Sequence, residues 1–152
     1  MPKTFEDEFM EAQADMVSIC LEYVEDDAEK IYIYGSCEGS ITTGNCFFKI
    51  DGRVLRKHQL NQVTGKHYDV SPERQEGCLN IILEDLGKLK DVCKRYQQPM
   101  PTEIKLVYDV ATRNLDAQYQ YEKVYTDNIY LAPDDMERQW FEQVKAQEEG
   151  GA

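Results

Sequence analysis

Apolar and polar residues alternate between positions 103 and 110. Ile104, Leu106, Tyr108 and Val110 fall on one side, with Glu103, Lys105 and Asp109 on the other. That period of two predicts a half-buried strand. A second alternating run sets Leu115, Ala117, Tyr119 and Tyr121 against Asp116, Gln118, Gln120 and Glu122. The polar break at 111–114 ends in Asn114, a residue that tolerates positive φ, so the two runs predict a β-hairpin. Pro133, Asp134 and Asp135 then open a helix whose Met136, Trp140, Phe141 and Val144 form a narrow apolar stripe. Proline suits a first helical turn, and carboxylates suit the positive end of the helix dipole. Trp140, the only tryptophan, is expected to lock this helix onto the sheet.

Upstream, Thr4 and Asp7 form a weak capping box for a helix carrying Phe5, Phe9, Ala12, Met16, Ile19, Cys20 and Tyr23. The spacing carries this helix to the neighbourhood of Asp27. Its end would then hold Glu25, Asp26 and Asp27 at the negative pole of the dipole, where basic residues are preferred. Ile31 and Ile33 oppose Tyr32 and Tyr34 in a strand over 30–36. Gly35, Gly39 and Gly44 suggest a bulge or hairpin turn, and no lysine follows them as in a phosphate loop. Residues 46–50 form a strand, Asp51-Gly52 a two-residue turn, and Arg53 starts the return. Residues 56–70 are polar and locally basic (Arg56, Lys57, His58, Lys66, His67), without a period; a long loop or ragged edge is expected. Ser71-Pro72-Glu73 caps a second helix. Leu79, Ile82, Leu86, Leu89, Cys93 and Tyr96 recur along it, broadened by Ile81, Leu83 and Val92. Pro99 and Pro101 end it.

The order α-β-β-β-α-β-β-α predicts the α+β class: a single domain over 1–147 with three helices and an antiparallel sheet of about five strands. Leu86, Leu89, Leu106, Tyr108, Tyr119 and Trp140 are expected to share one core. Residues 148–152 read as a loose tail.

Composition narrows the function. A chain of 152 residues with 41% hydrophobic content can bury a core without staples. It has no apolar run long enough to span a bilayer. Its acidic N-terminus lacks the order of a signal peptide, so a cytoplasmic location is expected. Five cysteines, none in a CxxC pair, read as reduced, buried apolar side chains. Twenty-nine acidic residues against 17 basic ones give a net charge of −12. That balance disfavours nucleic acid and anionic membrane surfaces and favours a basic macromolecule. Glu25, Asp26 and Asp27, mildly unfavourable for the isolated helix, are the first candidates for contact with such a partner. Asp134 and Asp135 are weaker candidates, because the dipole already accounts for them.

The signals for chemistry are thin. Cys46 with His58 or His67 could form a nucleophilic pair, but no spacing brings them together. Cys37, Cys46, His58 and His67 are too widely separated for a structural zinc pattern. There is no calcium loop and no isolated carboxylate pair in an apolar setting. No catalytic residue, cofactor or metal is therefore assigned. Tyr108, Tyr119, Tyr121, Tyr125 and Tyr130 gather near the hairpin as core, sheet surface or interface anchors.

Three segments carry a family likeness: Pro101-Thr102-Glu103-Ile104-Lys105-Leu106-Val107-Tyr108-Asp109-Val110, Leu115-Asp116-Ala117-Gln118-Tyr119-Gln120-Tyr121-Glu122, and Pro133-Asp134-Asp135-Met136 with Trp140-Phe141. Together they resemble the YezG-like immunity (antitoxin) family of bacterial polymorphic toxin systems, in which such segments recur in this order. The likeness covers the last third of the chain; before Ser71 only the order of elements matches. Gly35-Ser36-Cys37 and the basic stretch 56–66 have no counterpart in the family pattern. The resemblance implies a small cytoplasmic protein that neutralises a cognate secreted toxin domain, often a nuclease, by binding it, and it supplies no catalytic residue. A nuclease carries a basic cleft, to which a chain of −12 is a natural complement. The expected function is a non-enzymatic immunity protein. The alternatives are a small cytoplasmic enzyme and a general acidic adaptor.

Overall fold

The computed structural model describes residues 2–62 and 65–150. In chain order the elements are α1 (Phe5–Tyr23), β1 (Lys30–Glu38), β2 (Ile41–Ile50), β3 (Arg53–Arg56), a 3-10 turn (Lys57–Gln62), α2 (Pro72–Arg95), β4 (Glu103–Asp109), β5 (Asn114–Gln120) and α3 (Pro133–Glu149). This is the expected α+β order. The strands form one antiparallel sheet ordered β3-β2-β1-β4-β5. The expected long loop at 56–70 is in part the 3-10 turn; its Val63 and Thr64 lie outside the described residues, as do Gly151 and Ala152 of the expected tail.

Period-two alternation gives the sheet two faces, and both are covered. Ile31, Ile33, Cys46, Phe48, Leu55, Ile104 and Leu106 pack against α1 and α2. Tyr32, Tyr34, Phe47 and Val54 pack against Trp140, Phe141 and Val144 of α3. Central strand β1 is consequently buried on both sides. Trp140 does hold α3 to the sheet, with its ring 5.1 Å from Phe47 and 5.9 Å from Tyr32. It does not share a core with Leu86, Leu89 and Leu106, which lie on the opposite face with Tyr108 and Tyr119 packed beside them. The strand pattern marks two faces but does not say on which one a later helix lands.

Three local features also differ from expectation. α1 starts as predicted: Thr4 Oγ1 accepts the Asp7 N–H at 3.1 Å and Asp7 Oδ2 accepts the Thr4 N–H at 3.0 Å. It stops at Tyr23, however, because Glu25 (φ 53) and Asp26 (φ 63) are left-handed. The acidic triplet therefore belongs to the turn after the helix. Of the three glycines, only Gly39 (φ 60) sits in a turn. Gly35 and Gly44 pair across β1 and β2, where a Cβ would meet Leu86 Cδ2 at 2.7 Å and Ile82 Cγ2 at 2.9 Å, respectively; their bare backbone lets α2 lie close on the sheet. The Asp51 (φ 52) and Gly52 (φ 76) turn is the expected tight one.

The supposed tail begins inside α3. Glu148 bridges Lys30 at 3.1 Å and Lys49 at 2.9 Å, and Glu149 accepts the Val54 N–H at 2.7 Å. Lysines from β1 and β2 thus offset carboxylates that the dipole alone would disfavour at a helix C-terminus. The segment leading to α3 is tied to the end of β1. The buried Glu38 carboxylate accepts the N–H groups of Val124 at 2.9 Å, Tyr125 at 3.2 Å and Thr126 at 3.3 Å.

Candidate functional site

The acids singled out from the sequence do not assemble. Asp27 accepts from Lys66 at 2.7 Å and from the Tyr68 hydroxyl at 2.8 Å, and Lys66 in particular holds its carboxyl below the ordinary range. Glu25 pairs with the same lysine at 3.3 Å, so two of the triplet are already engaged within the fold. Asp135 accepts the Ala132 N–H at 2.8 Å and pairs with Arg138 at 2.6 Å. It does the capping work that the Ala132 side chain cannot, and that backbone bond first, then Arg138, draws its pKa down. Asp134 is exposed. The two clusters also sit at opposite ends of the sheet. The triplet precedes Lys30 at the start of β1, whereas α3 is entered from the loop held by Glu38 at the end of β1. Nine residues of strand separate those ends, about 30 Å.

A different acidic surface is assembled, in the groove between α1 and α2. Glu8, Glu11 and Asp15 of α1 face Glu84, Asp85 and Asp91 of α2 across about 640 Å³, with Lys88 and Arg95 the only cations in the lining. Periodicity puts the acids there. Glu8, Ala12 and Asp15 recur at i, i+4 and i+7 along α1 beside the buried stripe of Phe9, Met16 and Val17. On α2 the buried positions are Cys78, Ile82, Asp85, Leu86, Leu89, Val92 and Cys93, so Asp85 occupies a core position.

Asp85 is the unusual group. Its side chain is 0% exposed, yet neither carboxylate oxygen accepts a hydrogen bond from the described residues. Lys88 Nζ stands 3.4 Å away on the exposed rim. Burial, and then the neighbouring Asp15 carboxylate, push the Asp85 carboxyl up to about 7. Glu8 and Asp91 are occupied by Arg95, at 2.6 and 3.0 Å. Asp15 and Glu84 make no ion pair among the described residues. The sequence carried a signal for Asp85: an acid at the spacing Ile82, Asp85, Leu89, Val92 falls inside the apolar stripe rather than opposite it.

An apolar cleft flanks the same end of α1. Phe5, Phe9, Met10, Pro99, Tyr119 and Tyr121 enclose about 260 Å³, and Met10 and Tyr121 are half exposed at its rim. Of the other tyrosines, Tyr125 is buried and Tyr130 lies open to solvent on the segment before α3, beside Ile129.

The four residues weighed and set aside as a zinc set are not brought together. His58 and His67 are exposed, and Cys37 is buried apart from the one group of three or more metal-ligating residues found among the described residues. That group is Cys20, Cys46 and Cys78, of which only Cys46 was among the residues weighed from the sequence. Among the described residues, no helix is long and apolar enough to cross a membrane.

Compared with known proteins, the chain matches no family model and no curated protein sequence.

Proposed function

We propose that this chain is a non-enzymatic immunity protein that neutralises a basic toxin domain, of the nuclease kind, by binding it in the cytoplasm of the producing cell. The observation that carries the reading is the acid-lined groove between α1 and α2 with the buried Asp85 at its floor, where it accepts no hydrogen bond from the described residues and is ion-paired with Lys88 on the rim. A buried carboxylate that accepts no hydrogen bond is unfavourable by about 1–3 kcal/mol, and a partner's lysine or arginine inserted into the groove recovers that energy through charge-assisted bonds. The surrounding carboxylates, together with a net charge of −12, speed the encounter with a basic surface. The aromatic cleft on the neighbouring side of α1 supplies the apolar anchors that slow dissociation. The resemblance of the last third of the chain to the YezG-like family supports the same reading.

The test is to purify the product of the reading frame beside this chain and assay it for nuclease activity with increasing amounts of the chain. Loss of activity at one chain per toxin is the expected result. Full activity with the chain in excess overturns the proposal.

One observation favours a small enzyme instead. A buried carboxyl raised to about 7 beside a second carboxyl, Asp85 with Asp15, is the arrangement that an acid–base pair uses. The same assay separates the two readings, since Asp85→Asn would abolish an enzyme's turnover but only weaken a stoichiometric inhibitor.

A further inference from the structure

Cys20 of α1, Cys46 of β2 and Cys78 of α2 converge where the helix pair meets the sheet. All three are buried and free of disulfides, and their sulfur atoms all lie within 4.8 Å of one another. Three thiolates held at about 2.3 Å from one cation in a trigonal plane stand about 4 Å apart, so the cluster reaches that geometry with small side-chain adjustments. No histidine or carboxylate among the described residues extends the group to four. Structural zinc takes four ligands, whereas an all-thiolate set selects a soft cation. Lys57 and Arg74 both act on Cys78 as positive charges, which offsets the excess negative charge of three thiolates around a monovalent ion. A surface cleft of about 420 Å³, bordered by Tyr23, Asp69, Arg74 and Cys78 itself, gives the ion a route to the cluster.

We propose that the chain binds one soft monovalent cation, Cu(I), through the thiolates of Cys20, Cys46 and Cys78. On binding, three S–H bonds break, three S–Cu bonds form, and the three protons pass to solvent; copper enters as Cu(I), so no electron is transferred. Because the ligands come from α1, β2 and α2, the ion staples both helices to the sheet and stabilises the native state in proportion to its occupancy. The site lies about 10 Å along α2 from Asp85, and the proposal is independent of toxin neutralisation.

The test is an anaerobic titration of the reduced full chain with Cu(I) against a chromophoric Cu(I) chelator. The expected result is one equivalent bound, an ultraviolet thiolate-to-copper charge-transfer band, and a melting temperature that rises with Cu(I). Cys78→Ser, at the edge of the cluster, should bind about 100-fold more weakly, while Cys37→Ser and Cys93→Ser bind like the parent. Circular dichroism establishes that each variant is folded. Should Cys78→Ser fail to fold, competition between Cu(I) and Zn(II) on the parent chain decides. Failure to take Cu(I) from the chelator, tighter binding of Zn(II) than Cu(I), or unchanged affinity in Cys78→Ser each overturns the proposal.

Discussion

Carboxylates are buried on both sides of the sheet, and the two sides treat them differently. On the α3 side each has a donor. Glu137 accepts from Arg56 Nη1 at 2.6 Å, Glu103 from the Tyr34 hydroxyl at 2.5 Å, and Glu38 from the amides of residues 124–126. Arg56 also lies 3.9 Å over the Phe141 ring. These acids knit β1, β3, β4, the preceding loop and α3 into one unit. On the side of α1 and α2, Asp85 is buried more deeply, accepts no hydrogen bond from the described residues, and has only the exposed Lys88 ammonium at 3.4 Å as an ion-pair partner. The comparison separates acids whose hydrogen bonds build the fold from a buried acid held only by one ion pair at the surface.

Breaking the α3 side should have the largest effect. Trp140→Ala removes the ring contacts with Tyr32, Tyr34 and Phe47 and should cost about 3–5 kcal/mol in denaturant unfolding. An unchanged unfolding midpoint would mean that α3 is not held by this residue. Glu38→Ala strands the amides of residues 124–126 and should cost about 2 kcal/mol. Proteolysis between β5 and α3 should speed up with it.

Asp85→Asn should act in the opposite direction, raising stability at pH 8 by about 1–2 kcal/mol. The pH dependence sharpens the contrast. Asp85 titrates at about 7 in the folded chain against 3.8 ordinarily, so the folded state keeps a proton that the unfolded state releases. Its contribution to stability is full below about pH 4, declines as pH rises towards about 7, and is level above that. Glu38 behaves in reverse. Burial pushes its carboxyl up, but bonds from Thr126 and the backbone amides outweigh that and hold it below 4.5; its contribution is present above that value and lost on acidification. Melting curves between about pH 4 and pH 8 should show a downward slope that flattens in Asp85→Asn and persists in Glu38→Ala.

Smaller effects are expected elsewhere. Dithiothreitol should leave the melting temperature unchanged, because all five cysteines are free; a loss would mean disulfides. Neutralising Glu25, Asp26 and Asp27 together should lower stability slightly, by less than about 1 kcal/mol, since Lys66 pairs with two of them. Sequence reasoning alone gave the other sign, because it placed these acids on a helix end rather than in a left-handed turn.

Element order was legible in the chain because alternation, caps and proline stops are local signals. What could not be read depends on distant partners. Nothing in the stripe of Met136, Trp140, Phe141 and Val144 says which sheet face receives it, although Tyr32, Tyr34 and Phe47 already made the second face apolar. Gly35 and Gly44 resemble turn residues until Leu86 and Ile82 are seen to press on them. Glu148 and Glu149 look out of place at a helix C-terminus until Lys30, Lys49 and the free Val54 amide of edge strand β3 appear beside them. The functional reading from net charge pointed to a basic partner, but the charges it selected are largely occupied at home. Asp85 was visible only as an acid in an apolar period, and the cysteine cluster required three elements to meet.

The most direct test of the acidic groove is the association rate with the neighbouring toxin domain, measured at low and high salt. Asp15→Asn and Glu84→Gln, combined in one chain, remove the rim charges that make no ion pair among the described residues, without touching Glu8, Glu11, Asp91 or the α3 side. The account predicts that the parent associates about tenfold faster than this variant at low salt and that the gap closes as salt screens the groove. Equal rates at every ionic strength would show that the toxin docks elsewhere on the chain.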